Sequence, residues 1–202
     1  MARPASQVAA ALASRGGGLN RYVGRVEQQF QTGTLPKTDV HRAYAGAFAY
    51  FYLHLESAIE DLFMGLLMNR LTLARGQVRP LLTIRSEVVA RGIVRGERVY
   101  VDWLPYKRTR ERAKLMLSGG GPFVRLTGAQ IETLEKVRVI RNAIAHDEGN
   151  AMNQFRKVCL TGLPLPPEQM RPAGYLRGQH AAGQTRFSFL VGQSTQVIRA
   201  LV

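Results

Sequence analysis

Apolar residues recur at helical spacing through most of the chain. Leu19, Tyr22, Val23, Val26 and Phe30 predict an amphipathic helix over 19–32, ended by Gly33 and Pro36. A second helical pattern runs from about Asp39, an N-cap candidate, to about Leu71. Its middle is apolar almost all round, with Phe48, Phe51, Leu55, Ile59, Leu62, Phe63 and Leu66. Such a helix belongs at the centre of a bundle or at a subunit interface. Residues 72–106 change character. Ser86–Ala90 and Arg98–Trp103 are β-branched and aromatic, with Gly92 and Gly96 between them, so this insert is expected to be a short hairpin or irregular. Thr109 is placed to cap a short helix through about Leu117, and Gly119-Gly120-Gly121-Pro122 breaks it. Thr127 and Gln130 form a T-x-x-Q capping box. The helix they open carries Ile131, Leu134, Val137, Ile140 and Ile144 on its apolar side and ends near His146. A short helix over 151–160, a proline-rich loop over 161–174 and a last helix over 188–201 complete the expectation. The fold class is therefore all-α, a helical bundle with a small insert.

The chain of 202 residues is long enough for one domain with a sizeable core and short for two. Residues 1–18, in which Arg15 precedes three glycines, read as a loose basic arm ahead of a single domain over 19–202. The apolar stretch Val8–Ala13 is too short and too weakly apolar for a signal peptide. The longest apolar runs fall short of a membrane span, so no membrane contact is expected. Charge changes the picture more. Twenty-eight Lys and Arg against fourteen Asp and Glu give +14, which favours a polyanionic partner, RNA or DNA ahead of a membrane surface. The single cysteine, Cys159, excludes an internal disulfide and any cysteine-based zinc site, and fits a reducing cytoplasm.

The stretch richest in chemistry is Val139-Ile140-Arg141-Asn142-Ala143-Ile144-Ala145-His146-Asp147. Its R-x4-H spacing puts a permanently charged, planar phosphate binder five positions before a group that exchanges protons near neutral pH. These are the minimal parts for cutting a phosphodiester without a metal. A base takes the proton of a ribose 2′-OH, which attacks the adjacent phosphorus. His146 suits the acid or base role, Arg141 the charge building on the phosphoryl oxygens, and Asn142 the orientation of either the histidine or the sugar. The nucleophile belongs to the substrate, so no cofactor or metal is required and activity is confined to RNA. Five helical residues separate the pair by roughly 140° and about 7–8 Å along the axis, so a groove shared by two copies is the expected setting.

The string Ile140-Arg141-Asn142-Ala143-Ile144-Ala145-His146 resembles the signature of the HEPN superfamily, all-α bundles in which R-x4-6-H closes a core helix. The segment Leu53-His54-Leu55-Glu56-Ser57-Ala58-Ile59-Glu60-Asp61-Leu62-Phe63 is similar to the family's earlier core helix. The resemblance spans about 40–70 and 107–160, leaving the 72–106 insert and the tail after 160 outside. It implies a metal-independent endoribonuclease acting as a homodimer, in a toxin–antitoxin or phage-defence setting, with Arg141 and His146 catalytic and Asn142 supporting. Glu56, Glu60 or Asp61 would assist, without a choice among them. A cognate antitoxin such as a minimal nucleotidyltransferase is an implied partner. The alternative within the same family is a non-catalytic module that binds nucleotide, RNA or protein.

Lys107, Arg108, Arg110 and Arg112 form a basic run suited either to a solvated face or to an RNA backbone. Trp103 and Tyr106 beside it suit core packing or base stacking. His54 and Asp61, seven apart, share a helix face. His41 and His180 stand alone, giving no metal-binding spacing. The three glycines lack the Lys-Ser/Thr that a phosphate loop requires.

Overall fold

A computed structural model describes residues 2–74, 76–146 and 148–202. The chain runs β1 (Arg3–Pro4), α1 (Ser6–Gln31), α2 (Lys37–Leu67), β2 (Leu71–Thr72), α3 (Glu87–Arg95), α4 (Tyr106–Met116), α5 (Gly128–Ala145), α6 (Asn150–Phe155), α7 (Pro172–Arg177), β3 (Gln179–Ala181), β4 (Gln184–Thr185) and α8 (Arg186–Ala200). It is an all-α bundle with two minor strand pairs, β1–β2 parallel and β3–β4 antiparallel. None of the helices among the described residues is long and apolar enough to cross a membrane.

Helix α2 is the axis of the bundle, as its all-round apolar middle predicts. Phe48, Phe51, Leu55, Ile59, Leu62 and Phe63 are completely buried, and α2 packs on α1, α5, α7 and α8. The helix begins earlier than expected. Pro36 is its N-cap, with the Pro36 carbonyl accepting from the Asp39 and Val40 amides, while Asp39 sits in the first turn and pairs with Arg42.

The loose basic arm expected over residues 1–18 is not what forms. Residues 6–18 are the first half of α1, and β1 pairs with β2 through Arg3 N–H to Arg70 and Ala5 N–H to Thr72. Val8, Ala9 and Leu12 lie on one helix face and are buried. The first of the three glycines has a packing use. A Cβ on Gly16 would come within 2.7 Å of Val191 on α8, so the bare backbone lets α1 and α8 approach closely.

The insert also departs from a hairpin. Ser86 caps α3, accepting from the Val89 amide at 3.4 Å, with Glu87 in the first turn and Arg95 in the last. Ala90 and Val94, one turn apart, are the residues this helix buries. The stretch 97–105 is irregular. Thr109 does not cap α4, which starts at Tyr106 after Pro105. Its hydroxyl is buried and donates to the Trp103 carbonyl at 2.5 Å. The proline-rich stretch expected as loop holds a short 3-10 turn over Pro167–Met170 and the start of α7, and a short β3–β4 hairpin precedes α8.

The glycine triplet after α4 ends it as expected. Gly119, Gly120 and Gly121 all take positive φ, a turn that residues with a Cβ rarely adopt. The capping box of α5 is present in both directions, with Gln130 N–H to Thr127 Oγ1 and Thr127 N–H to Gln130 Oε1. Thr127→Ala is expected to cost about 1 kcal/mol, a fall of roughly 2–4 °C in melting temperature by circular dichroism. An unchanged melt would mean that packing alone fixes the start of α5.

Candidate functional site

Helix α5 buries Leu134, Val137, Ile140 and Ala143 and thereby presents a half-buried flank to α2. That flank carries Arg138, Arg141 and Asn142, at i, i+3 and i+4. The guanidinium of Arg141 lies over the ring of Tyr52, Cζ 5.1 Å from the ring centre. Asn142 Oδ1 accepts from Arg141 Nη1 at 3.1 Å. Arg138 is held by both oxygens of Glu135. Arg141 thus meets α2 with its side chain oriented by a neighbour on its own helix and an aromatic face on the next.

Glu56 is one turn beyond Tyr52 on α2, on the same face. The Tyr52 hydroxyl, the Leu104 amide and the charge of Arg141 all act on its carboxylate. Burial pushes its carboxyl above the ordinary carboxylate value, and Asp102 pushes the same way. The Leu104 amide, Arg141 and Tyr52 oppose the shift without cancelling it. Burial, with Glu56 second, likewise raises the Tyr52 phenol. A carboxyl whose folded value is raised favours the fold when protonated. That contribution is complete below the ordinary carboxylate range and is lost as pH climbs through the raised value. Glu56→Gln is therefore expected to gain stability relative to the parent at neutral pH and to lose that advantage in acid. Melts at paired pH values check it, and a pH-independent difference would remove burial as the cause.

Of the three acids singled out on α2, Glu56 is the one beside Arg141. Glu60 turns the other way, accepting from Trp103 Nε1 at 3.0 Å and pairing with Arg91. Asp61 faces the charges of Arg3, Arg91 and Arg15. His54, on the Asp61 side of α2, takes a 2.7 Å hydrogen bond from Arg15 and stacks edge-on against Tyr50.

The basic run divides. Arg108 pairs with the Asp102 carboxylate at 2.6 Å. Arg112 donates to the Asp102 carbonyl at 2.6 Å and lies 5.6 Å over the Trp103 ring. Burial and the neighbouring charges of Arg98 and Arg108 lower the Arg112 value. Because Asp102 and Leu104 also border Glu56, these arginines stand next to the Arg141 cluster. Lys107 points away, paired loosely with Glu111, and Arg110 sits near the Tyr106 hydroxyl. Trp103 and Tyr106 are buried at 2% exposure, so the stacking platform considered for them is absent from the surface.

His146 is the C-cap of α5. Its amide closes on the Asn142 carbonyl at 2.9 Å and its side chain is exposed. Among the described residues no hydrogen bond or ring contact joins it to Arg141. Asp147, which closes the motif string, lies outside the described residues. The chain therefore offers Arg141 from a half-buried flank and His146 from an open helix end. Tyr52, Asp102, Arg98 and Arg138 were missed from the sequence. Tyr52 was legible, since it precedes Glu56 by four on one helix. Asp102 was not, because an irregular segment carries it to the site.

Comparison of the chain with protein-family models, with curated proteins and with solved structures gives no match.

Proposed function

We propose that this chain is a HEPN-like, metal-independent endoribonuclease that works as a homodimer and leaves a 2′,3′-cyclic phosphate. The observation that carries the reading is the end of α5. A capped helix delivers an oriented guanidinium, half-buried against Tyr52 and Glu56, one turn before an exposed imidazole. In the proposed reaction one His146 takes the proton of the ribose 2′-OH. The 2′ oxygen bonds to phosphorus, the bond from phosphorus to the 5′ oxygen breaks, and the leaving oxygen takes a proton from the second copy's His146. Arg141 neutralises charge on the non-bridging oxygens throughout. Asn142 keeps the guanidinium in place, and Glu56 balances its charge between turnovers. Arg108 and Arg112 hold flanking phosphates, in keeping with the +14 net charge. A cytoplasmic setting in defence or toxin–antitoxin control, with an antitoxin as partner, belongs to the same reading and rests on the resemblance alone.

Because no contact joins His146 to Arg141 among the described residues, the reading calls on a second copy; the same arrangement suits a module that holds RNA without cutting it. The deciding experiment incubates purified protein and chelator with end-labelled RNA and with DNA of the same sequence. RNA cut to cyclic-phosphate ends, DNA intact and a dimer by light scattering are expected. Equal cutting of DNA, or activity abolished by the chelator, would overturn the mechanism. RNA bound but uncut would leave the binding module.

A further inference from the structure

Beside Trp103 lies a cavity of about 450 Å³ between α2, α3 and the irregular 98–103 segment. That volume falls in the range of small-molecule sites. Met64, Val94, Val101 and Trp103 form apolar walls, and Val88 and Tyr100 form a rim that is 82% and 71% exposed. Three charged groups stand among them: Glu60, Arg91 and Arg95. Glu60 spends one oxygen on Arg91 and the other on Trp103 Nε1. A carboxylate has about four acceptor positions, so about two remain unused. Arg91 is committed to Glu60 and Glu87. Arg95 has no ion-pair partner among the described residues and stands at the last turn of α3.

We infer that this cavity is a binding site for a guanine nucleotide. The buried Met64, Val94 and Trp103 make an apolar floor, and the exposed Tyr100 and Val88 offer the surface on which a planar base would rest. The free positions of Glu60 match the adjacent N1–H and N2–H donors on one edge of guanine. Adenine offers a single exocyclic donor there and uracil a single ring N–H. Arg95 is left to meet the phosphate. An aliphatic peptide side chain would fill the walls but leave the unused acceptor positions of Glu60 and the Arg95 guanidinium unengaged, which is why a nucleotide is preferred. The guanine is either a free nucleotide or a residue of single-stranded RNA, and the chemistry of recognition is shared.

Trp103 is the chain's single tryptophan and lines the cavity, so its emission reports occupancy. The full chain is titrated with 5′-GMP, 5′-AMP and guanosine, and with 2′-O-methyl oligoribonucleotides containing one guanine or none. Such oligomers cannot be cut by 2′-OH attack, so the result stands whatever the fate of the nuclease reading. A saturable emission change is expected, with GMP bound about tenfold or more tightly than AMP, the scale of one lost hydrogen bond to a charged group. Glu60→Gln should erase most of that preference. Arg95→Ala, at an exposed position with no fold contact to lose, should weaken GMP and leave guanosine unchanged. Tighter binding of the guanine oligomer than of GMP identifies an RNA residue as the occupant, and the reverse identifies a free nucleotide. No saturable change with GMP or the guanine oligomer, or equal affinity for GMP and AMP, overturns the proposal.

Discussion

Replacing His146 with alanine is expected to lower RNA cleavage by roughly 10²–10⁴-fold, the scale on which a positioned acid or base accelerates proton transfer. The residue is exposed at the C-cap of α5, and its amide, not its ring, makes the bond that closes the helix. Alanine keeps that amide. The structural cost is therefore limited to the favourable interaction of a charged imidazole with the helix end, about 0.3–1 kcal/mol when protonated. A melting curve and light scattering on the variant should thus match the parent closely while activity collapses. Arg141→Lys is the informative companion. Lysine preserves charge but loses the planar fork and the stacking on Tyr52. If the arginine acts on the phosphoryl oxygens, turnover falls with modest change in RNA affinity. Cleavage unaltered in His146→Ala would remove the assigned acid and base and with it the proposed chemistry.

The parts of the molecule that could be read from sequence are those fixed by neighbours along the chain. The capping box at Thr127 and Gln130, the apolar faces of α2 and α5, and the end of α5 at His146 all follow from local spacing. The same holds for the positions of Arg141 and Asn142 on α5, whereas Glu56 could not be told from Glu60 and Asp61 by helical spacing alone. Two departures share a physical source, in that packing and capping override the intrinsic preferences of glycine and β-branched residues. Gly16–Gly18 stays helical because α8 needs the space at Gly16. Val88, Val89 and Ile93 sit in α3 because Ser86, Ala90 and Val94 supply a cap and a buried stripe. What no local pattern could reveal is the chain Glu56, Asp102, Arg108 and Arg112. It depends on where an irregular segment settles, and that is decided by Trp103.

Phe63→Ala is expected to be the most destabilising of these single changes, at about 3–5 kcal/mol for a fully buried phenylalanine. Phe63 has no exposed surface and stands between two other rings, with Trp103 at 5.2 Å and Phe123 at 5.4 Å between centroids. It is the point where the central helix grips both the insert and the glycine turn after α4. Removing it should lower the melting temperature by roughly 6–20 °C for a domain of this size. The loss should not stay local. Trp103 carries the hydrogen bond to Glu60 and the stack with Arg112, and its neighbour Leu104 places an amide whose dipole acts on Glu56. Trp103 emission should therefore shift to the red below the melting transition, and Glu56 should titrate closer to an ordinary carboxyl as water reaches it. Val99→Ala, 88% exposed on the same insert, should change stability by less than about 0.5 kcal/mol. If Phe63→Ala melted within a degree or two of Val99→Ala, the insert would not be part of the core. The path from Trp103 to Glu56, which ties the basic run to Arg141, would then have no rigid support.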